Sequence, residues 1–223
     1  MDNDVKKHFE NIAGDYDSYK KKNWYYYDSL KGLLKKFIPA GKKVIEIGCG
    51  TGDLLAEVNP SYGLGIDISR KMIEIARKKH RAKNLQFKTG DICNFYFKSH
   101  FDFIMMADVI EHLADVNKSL INVARLMDKR TIFINLMVNP KWEWIFILAE
   151  KLGLKMPEGP HNRIPFSVIK AILNKEGVEV IKHGFSTLMP KYIPAVTPFI
   201  NNWLEPIFYP YACIEYFAAK KVI

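Results

Sequence analysis

The segment VIEIGCGTGDLL, residues 44–55, constrains the fold of this chain more than any other. An apolar run typical of a buried strand leads directly into the closely spaced glycines Gly48, Gly50 and Gly52. Without side chains, such a turn lets a ligand approach the main chain, and the helix that follows presents free N–H groups. Tight strand–helix turns also collect glycines, so the pattern by itself predicts a strand–turn–helix unit and only favours a ligand.

Strand patterns alternate with helix patterns along most of the chain. The strand patterns lie at 43–48, 63–68, 85–90, 101–108, 131–138, 178–185 and 211–221. Alternation at this spacing predicts an α/β fold with a doubly wound, mainly parallel seven-stranded sheet that helices cover on both sides. Ligands of such sheets bind beyond the carboxyl ends of the strands, where the winding reverses. The glycine segment lies at such a place.

One domain, residues 1–223, is predicted, with a helical lid and two insertions. Two helical patterns in 1–40 would form the lid, and 41–138 would form the ligand-binding core. Aromatic residues and prolines are concentrated in 139–165, after the fifth strand, and in 186–210, after the sixth. We expect these insertions to line the site of a second, hydrophobic ligand or to contact a bilayer surface.

Charge and cysteine content limit the classes of function. The formal net charge of +9 would suit nucleic acid or anionic lipid, but the basic residues are scattered in small groups, as on solvated helix faces. The N-terminus is too charged for a signal peptide, and charged residues or prolines interrupt every apolar run. Three cysteines without metal-ligand spacing indicate a reducing compartment. We therefore expect a cytoplasmic protein, and peripheral membrane contact remains open.

Three acidic residues sit where the ligand would lie. Glu46, two residues before the glycines, suits a ligand with a cationic group better than a pyrophosphate. Asp67 ends the second strand and could hold both hydroxyls of a ribose, or cap the next helix. Asp91 ends the third strand, where it could meet an exocyclic amine beside Ile92, or simply stabilise a turn. A ligand with adenine, ribose and a charged amino-acid tail fits this order, and S-adenosylmethionine is such a ligand.

The motifs VIEIGCGTGDLL, GIDIS, GDI and FDFIMMADVIEHL, taken in order, resemble those of the class I S-adenosylmethionine-dependent methyltransferases. The resemblance covers about residues 9–138 and implies the cofactor S-adenosylmethionine. The cofactor contacts that it implies are Tyr16 in the lid, Glu46, Gly48, Cys49, Gly50, Gly52, Asp67, Ile68, Met72, Asp91, Ile92 and Ala107.

A closer resemblance concerns DVIEHL together with NPKWEWIFILAEKLGLKMPEGPHNR, which are similar to segments of the ubiquinone-biosynthesis O-methyltransferases. It implies O-methylation of a small hydrophobic acceptor, phenolic or quinone-like. The aromatic segment 186–210 has no match in that family. Because D-V-I-E-H also occurs in methyltransferases of sugars, lipids and natural products, those acceptors stay open.

The same resemblance implies roles for the acids and histidines after the fourth strand. Asp108, Glu111 and His112 would share one side of a helix and match residues that hold a divalent cation, for which Mg²⁺ would be suitable. Asp108 and Glu111 could instead form a capping box without metal. Without metal, His112 could act as a general base, and His161 is a second candidate base or acceptor contact.

Two alternatives belong to other classes of function. Basicity favours a nucleic-acid methyltransferase, but the chain has neither an Asn/Asp-Pro-Pro-aromatic tetrapeptide after the fourth strand nor a Pro-Cys nucleophile. Nucleic acid is therefore an unlikely partner by this interpretation. The other alternative is a protein that binds the cofactor and has no activity. The sequence leaves the oligomeric state open.

Overall fold

The computed structural model describes residues 2–94, 99–153, 159 and 161–222. Part of the Pro-x-Gly-x-His ending of the first insertion, at 154–158 and 160, lies outside the described residues. The described strands form one sheet. They are β1 Lys43–Ile47, β2 Tyr62–Asp67, β3 Leu85–Thr89, β4 Phe103–Ala107, β5 Ile132–Val138, β6 Val178–Ser186 and β7 Ile214–Lys221.

The strand order is β3-β2-β1-β4-β5-β7-β6, which confirms the predicted doubly wound, mainly parallel α/β sheet. β1 pairs in parallel with β2 on one side and with β4 on the other, so the winding reverses between β1 and β4. β7 runs antiparallel to both of its neighbours, β5 and β6, and the other pairs of described strands are parallel. The reversal opens a crevice beyond the carboxyl end of β1, where the glycine segment begins.

Helices connect the strands, and several short helical turns follow β6. The α-helices are α1 Asp2–Ile12, α2 Tyr16–Lys22, α3 Trp24–Phe37, α4 Asp53–Glu57, α5 Arg70–Lys79, α6 Val116–Leu126, α7 Glu143–Lys151, α8 Phe166–Lys175, α9 Val196–Phe199 and α10 Glu205–Phe208. The 3₁₀-helices span Ile110–His112, Pro140–Trp142 and Tyr209–Tyr211, and a π-helical turn spans Ile200–Leu204. None of the described helices has both the length and the apolar character that crossing a bilayer demands.

Successive side chains of a strand point to opposite faces of the sheet, so the core has one cluster of buried side chains on each face. In β1, Ile45 and Ile47 face a cluster that includes side chains of α6 and α8. Val44 faces the opposite cluster, with side chains of α3, α4 and α5. Because both faces of β1 are covered, this strand is an almost continuous apolar run, as expected for a central parallel strand.

The N-terminal region differs from the two predicted helical patterns, because the first pattern is divided between α1 and α2. The break falls at residues 13–15, where the Asp15 amide donates to the Ile12 carbonyl. Spacing along a sequence does not reveal such a break, since Phe9 and Tyr16 keep a helical spacing across it. The bend allows both residues to line the same cavity at the carboxyl edge of the sheet.

Candidate active site

The turn after β1 brings bare main chain to the crevice. Gly48 and Gly50 have φ values of +72° and +50°, which glycine adopts more readily than other residues. The Gly48 amide donates to the Ile66 carbonyl at 2.7 Å, which joins the turn to the end of β2. A Cβ atom on Gly48 would overlap Val109, and one on Gly50 would lie 3.3 Å from the Tyr16 ring. Gly48 therefore packs closely against Val109 because it lacks a side chain, and a side chain at Gly50 would project toward Tyr16.

Asp67, at the end of β2, fastens this turn. Its Oδ2 accepts a hydrogen bond from the Gly50 amide, and its Oδ1 accepts one from the Ser69 amide, both at 2.8 Å. Burial raises the pKa of Asp67 to about 6, although these two amides act in the opposite direction. The capping alternative for Asp67 is not what the structure shows, because Ser69 caps α5 through its bond from the Met72 amide.

A cavity of about 100 Å³, which we call the edge cavity, lies beyond the carboxyl ends of β1, β2 and β4. It is lined by most of the residues that the resemblance marks for the cofactor. These are Tyr16, Gly48, Gly50, Asp67, Ile68, Met72, Asp91, Ile92 and Ala107. Asp91 also forms a local turn, since its Oδ1 accepts from the Cys93 amide at 2.8 Å. The turn and the cavity wall are thus compatible roles for one carboxylate.

A second cavity of about 280 Å³, the ionic cavity, adjoins the first and shares Tyr16, Gly48, Ala107 and Asp108 with it. Glu46 and Cys49 line this cavity. Burial raises the pKa of Glu46, and the bond that its Oε2 accepts from the Leu55 amide partly offsets the effect. Gly52 lies apart from both cavities, at the N-cap of α4.

Charged side chains tie α2 to α4 at the wall of the ionic cavity. The Lys20 ammonium donates to Asp53 Oδ2 and to Thr51 Oγ1, each at 2.5 Å, and lies 2.8 Å from Asp17 Oδ1. Lys79 from α5 contacts both of these aspartates. Hydrogen bonds and charge attraction from the two lysines hold the pKa values of Asp17 and Asp53 below their usual range, although burial opposes the shift.

A third cavity, the aromatic cavity, has a volume of about 350 Å³ and a mostly apolar wall. Its lining includes Trp142, Ile145 and Phe146 from the first insertion, Met189 and Pro190 from the second, and Tyr19, Tyr26 and Tyr27 from α2 and α3. The sequence predicted that both insertions would line such a site, but it did not predict the tyrosines of α3 there. The run WYYYD at 24–28 was the available signal, because consecutive tyrosines on a helix cannot all face its buried side.

The edge cavity and the aromatic cavity share a wall made of Phe9, Tyr16, Asp108 and His112. Asp108, directly after β4, has a φ of +55° and accepts a 2.7 Å hydrogen bond from the Tyr26 hydroxyl. The His112 ring packs edge-on against Phe9, with the ring centroids 5.2 Å apart. A carboxylate and an imidazole are therefore available to molecules in either cavity.

His161 lies behind His112, with the ring centroids 6.3 Å apart. Its Nδ1 is 3.0 Å from the Gly159 carbonyl oxygen, and its Nε2 is 4.0 Å from Glu143. His161 is absent from the lining of the aromatic cavity, whereas His112 lines it. The structure thus brings both predicted histidines together, and His112 is the one that meets the cavity.

Comparison with known proteins identifies the fold and the family. A model of the methyltransferase domain matches residues 38–158, more than half of the chain. This chain belongs to the methyltransferase-domain family. Its fold is that of the class I S-adenosylmethionine-dependent methyltransferases, as in one from Thermotoga maritima (TM-score 0.77, 19% identity, 98% of this chain and 100% of that chain covered). A magnesium protoporphyrin IX methyltransferase from Synechocystis, solved with bound SAH, has a TM-score of 0.67 at 18% identity, with 99% of each chain covered.

Two relatives are more similar in sequence. A ubiquinone biosynthesis O-methyltransferase from Bartonella tribocorum is 30% identical over 154 residues, which are 62% of this chain and 61% of the relative. An uncharacterized protein from Methanocaldococcus jannaschii is 28% identical over 198 residues, 79% of this chain and 77% of that one. This chain therefore spans less than two thirds of the length of the ubiquinone relative that it matches.

The residues present fit the cofactor of this family. At Gly48 and Gly50 the turn presents main chain without side chains to the edge cavity, and Gly48 also lines the ionic cavity. Asp67 adjoins the turn with carboxylate oxygens that can accept hydrogen bonds from hydroxyl groups, and Glu46 adds a second carboxylate in the wall of the ionic cavity. Main chain without side chains and carboxylate acceptors thus line adjoining cavities, and S-adenosylmethionine, with its ribose hydroxyls and cationic groups, needs both.

The predicted divalent cation does not fit. Asp108, Glu111 and His112 do not share a helix side, since Asp108 has left-handed φ and only Ile110–His112 forms a 3₁₀ turn. The described residues contain no group of three or more His, Cys, Asp or Glu side chains arranged to hold a metal ion. The capping-box alternative is also wrong, because the N-cap of this turn is Val109 and no side chain caps it. The Glu111 carboxylate instead faces a guanidinium, with its Oε1 3.8 Å from Arg163 Nη1.

Proposed function

We propose that the protein transfers the methyl group of S-adenosylmethionine to an oxygen atom of a small hydrophobic acceptor, phenolic or quinone-like. The observation that carries this proposal is the wall shared by the edge cavity and the aromatic cavity, because ligands bound in these two cavities would be neighbours. When bound, the cofactor supplies an electrophilic methyl group on its sulfonium. The name of the ubiquinone relative supports an oxygen acceptor and a quinone-like ring.

The chain has to hold the acceptor in line with the methyl group and remove its proton. Positioning is a large part of such catalysis, and the aromatic side chains of α7 and α3 would hold a flat ring by apolar contact. His112 is the candidate base, because its imidazole lies in the shared wall and histidine is the most common general base in enzymes. Asp108, held by Tyr26, is placed to orient the acceptor hydroxyl.

The deciding experiment is an acceptor screen with methyl-labelled cofactor. The panel comprises alkyl-substituted catechols, sugars, a membrane-lipid extract, total RNA and a whole-cell extract, each with and without a chelator. We expect label on the catechols and little on sugars or RNA. Label on RNA alone, weakened by salt, would contradict the proposal, and no label on a whole cell extract would favour a silent cofactor-binding protein. The chelator arm tests the cation hypothesis directly.

A pair of variants on α7 tests whether the acceptor occupies the aromatic cavity. Ala149 lines that cavity, whereas Leu148 is exposed on the same helix. Ala149→Trp should fill the space and raise the KM for the acceptor at least about tenfold, while cofactor affinity stays unchanged. Leu148→Trp introduces the same side chain without filling the cavity and should keep the KM of the wild type.

A further inference from the structure

Exposed apolar side chains are concentrated in the two insertions and at Trp24. Among the described residues, every exposed large apolar side chain except Val168 and Ile181 is either Trp24 or belongs to 144–152 or 192–211. Trp203 and Ile207 are each 71% exposed, and Trp144 is 68% exposed. We call this set of exposed apolar side chains the apolar rim. Contiguous apolar exposure on this scale marks a contact surface, because isolated exposed residues would be spread over the whole protein.

The segments of the rim are joined to one another. The Trp142 indole Nε1 donates to the Tyr211 carbonyl at 2.7 Å, which fastens the first insertion to the second. The Trp24 and Tyr192 rings lie 5.1 Å apart, which fastens the second insertion to α3. Trp142 and residues 189–191 also line the aromatic cavity. The segments that carry the rim are therefore connected, and they also contribute to the wall of the proposed acceptor site.

Cationic side chains border the rim on the side of Trp24. Lys21, Lys22 and Lys191 are exposed, and the Lys191 ammonium donates to the Lys22 carbonyl at 2.9 Å, so they lie close together. In the first insertion, Lys141 lies two residues from Glu143, and Lys151 directly follows Glu150. In the second insertion, the Glu205 carboxylate accepts a hydrogen bond from the Leu188 amide at 3.0 Å. The rim thus combines apolar and aromatic side chains with an excess of positive charge at one border.

We infer that the apolar rim docks the protein on the surface of an anionic lipid bilayer. Tryptophan and tyrosine favour the boundary between headgroups and acyl chains, and aliphatic side chains such as Ile207 bury apolar surface just below it. Lysines at the border attract anionic headgroups. A soluble protein partner would meet the same apolar area, but the bordering lysine cluster favours an anionic lipid surface. Docking would bring the segments that contribute to the aromatic cavity to the surface of the bilayer.

Vesicle sedimentation tests this surface without acceptor or methyl transfer, so its result is independent of the proposed reaction. The vesicles are pure phosphatidylcholine, or phosphatidylcholine and phosphatidylglycerol in equal parts. We expect binding to the anionic vesicles, weaker binding to the zwitterionic ones, and a decrease with added salt. Trp203→Ser combined with Ile207→Ser should weaken binding about tenfold or more, because two inserted apolar side chains are lost.

The matched control is Val168→Ser combined with Ile181→Ser, since these side chains are 45% and 49% exposed away from the rim. It should bind vesicles as the wild type does. Three results would overturn the inference. They are no sedimentation with either vesicle, equal loss in the rim and control variants, and a wild-type dimer in analytical ultracentrifugation that the rim variant abolishes, which would assign the surface to a second copy of the chain.

Discussion

The Tyr26 hydroxyl donates a 2.7 Å hydrogen bond to the carboxylate of Asp108, which lies 82 residues further along the chain. Asp108 directly follows β4 and has a φ of +55°, a conformation that costs a non-glycine residue roughly 1 kcal/mol. The neighbouring structure has to compensate this cost, and such strain is often found at functional sites. The bond thus connects a helix before the sheet to a residue in the wall between the edge cavity and the aromatic cavity.

Replacement of Tyr26 by phenylalanine removes this bond and keeps the ring. We expect Tyr26→Phe to lower kcat severalfold, because the Asp108 carboxylate would no longer be fixed, and to lower the free energy of unfolding by roughly 1 kcal/mol. Steady-state kinetics and urea unfolding measure the two effects. Tyr25→Phe is the control, since the Tyr25 hydroxyl accepts a bond from Asn201 instead. Equal kinetic effects in both variants would show that Tyr26 has no special role.

Much of this fold could be predicted because its signals are local. The strands β1, β2, β4 and β5 are mostly apolar runs that end at or next to a glycine or a polar residue, and the turn at Gly48 follows β1 directly. β3 alternates apolar with polar residues. The contact between Tyr26 and Asp108 could not be predicted, since it depends on how α3 crosses the edge of the sheet. The DVIEHL segment misled for a related reason. Its helical spacing is real, but the bond from the Asp108 amide to the Leu136 carbonyl on β5 and its left-handed φ prevent a helix there.

Gly50 provides a test of the cofactor site. Gly50→Val should reduce the affinity for S-adenosylmethionine below detection by calorimetry, because the side chain would project toward Tyr16 into the edge cavity. Gly41→Val is a matched control: Gly41 also has a left-handed φ, +80°, but an added Cβ atom would meet nothing within 4 Å. Both variants carry the backbone strain, so a loss of affinity in Gly50→Val alone reports on the cavity. Similar loss in both would mean that strain explains the effect.

His112 and His161 are neighbours, and separate substitutions test which of them acts as the general base. His112→Gln should lower kcat by roughly 10²–10⁴-fold, as expected for loss of a general base, and leave cofactor affinity unchanged. His161→Gln should have a smaller effect, because His161 does not line the aromatic cavity. Single-turnover rates with labelled cofactor measure both. A His112→Gln enzyme that retains the wild-type rate would exclude His112 as the base.

The raised pKa of Asp67 predicts that acid weakens cofactor binding but stabilises the folded protein. Its pKa in the folded protein is about 6, above the usual 3.8. As the pH falls through 6, the carboxylate is protonated and loses acceptor capacity, so affinity for the cofactor should decrease by up to about tenfold per pH unit. The folded state binds this proton more tightly than the unfolded chain does. The contribution of Asp67 to the free energy of unfolding therefore increases as the pH falls from about 6 to about 4.

Calorimetry and urea unfolding across this pH range, on the wild type and on Asp67→Asn, measure the two effects. The difference between the proteins isolates Asp67 from Glu46, whose pKa burial also raises. The variant should bind the cofactor more weakly than the wild type at pH 7, because its side-chain amide accepts fewer hydrogen bonds than a carboxylate. It should also show a shallower dependence on pH in both measurements. Parallel curves for the two proteins would mean that Asp67 does not titrate in this range, and that the carboxylate contributes to the site without changing its charge.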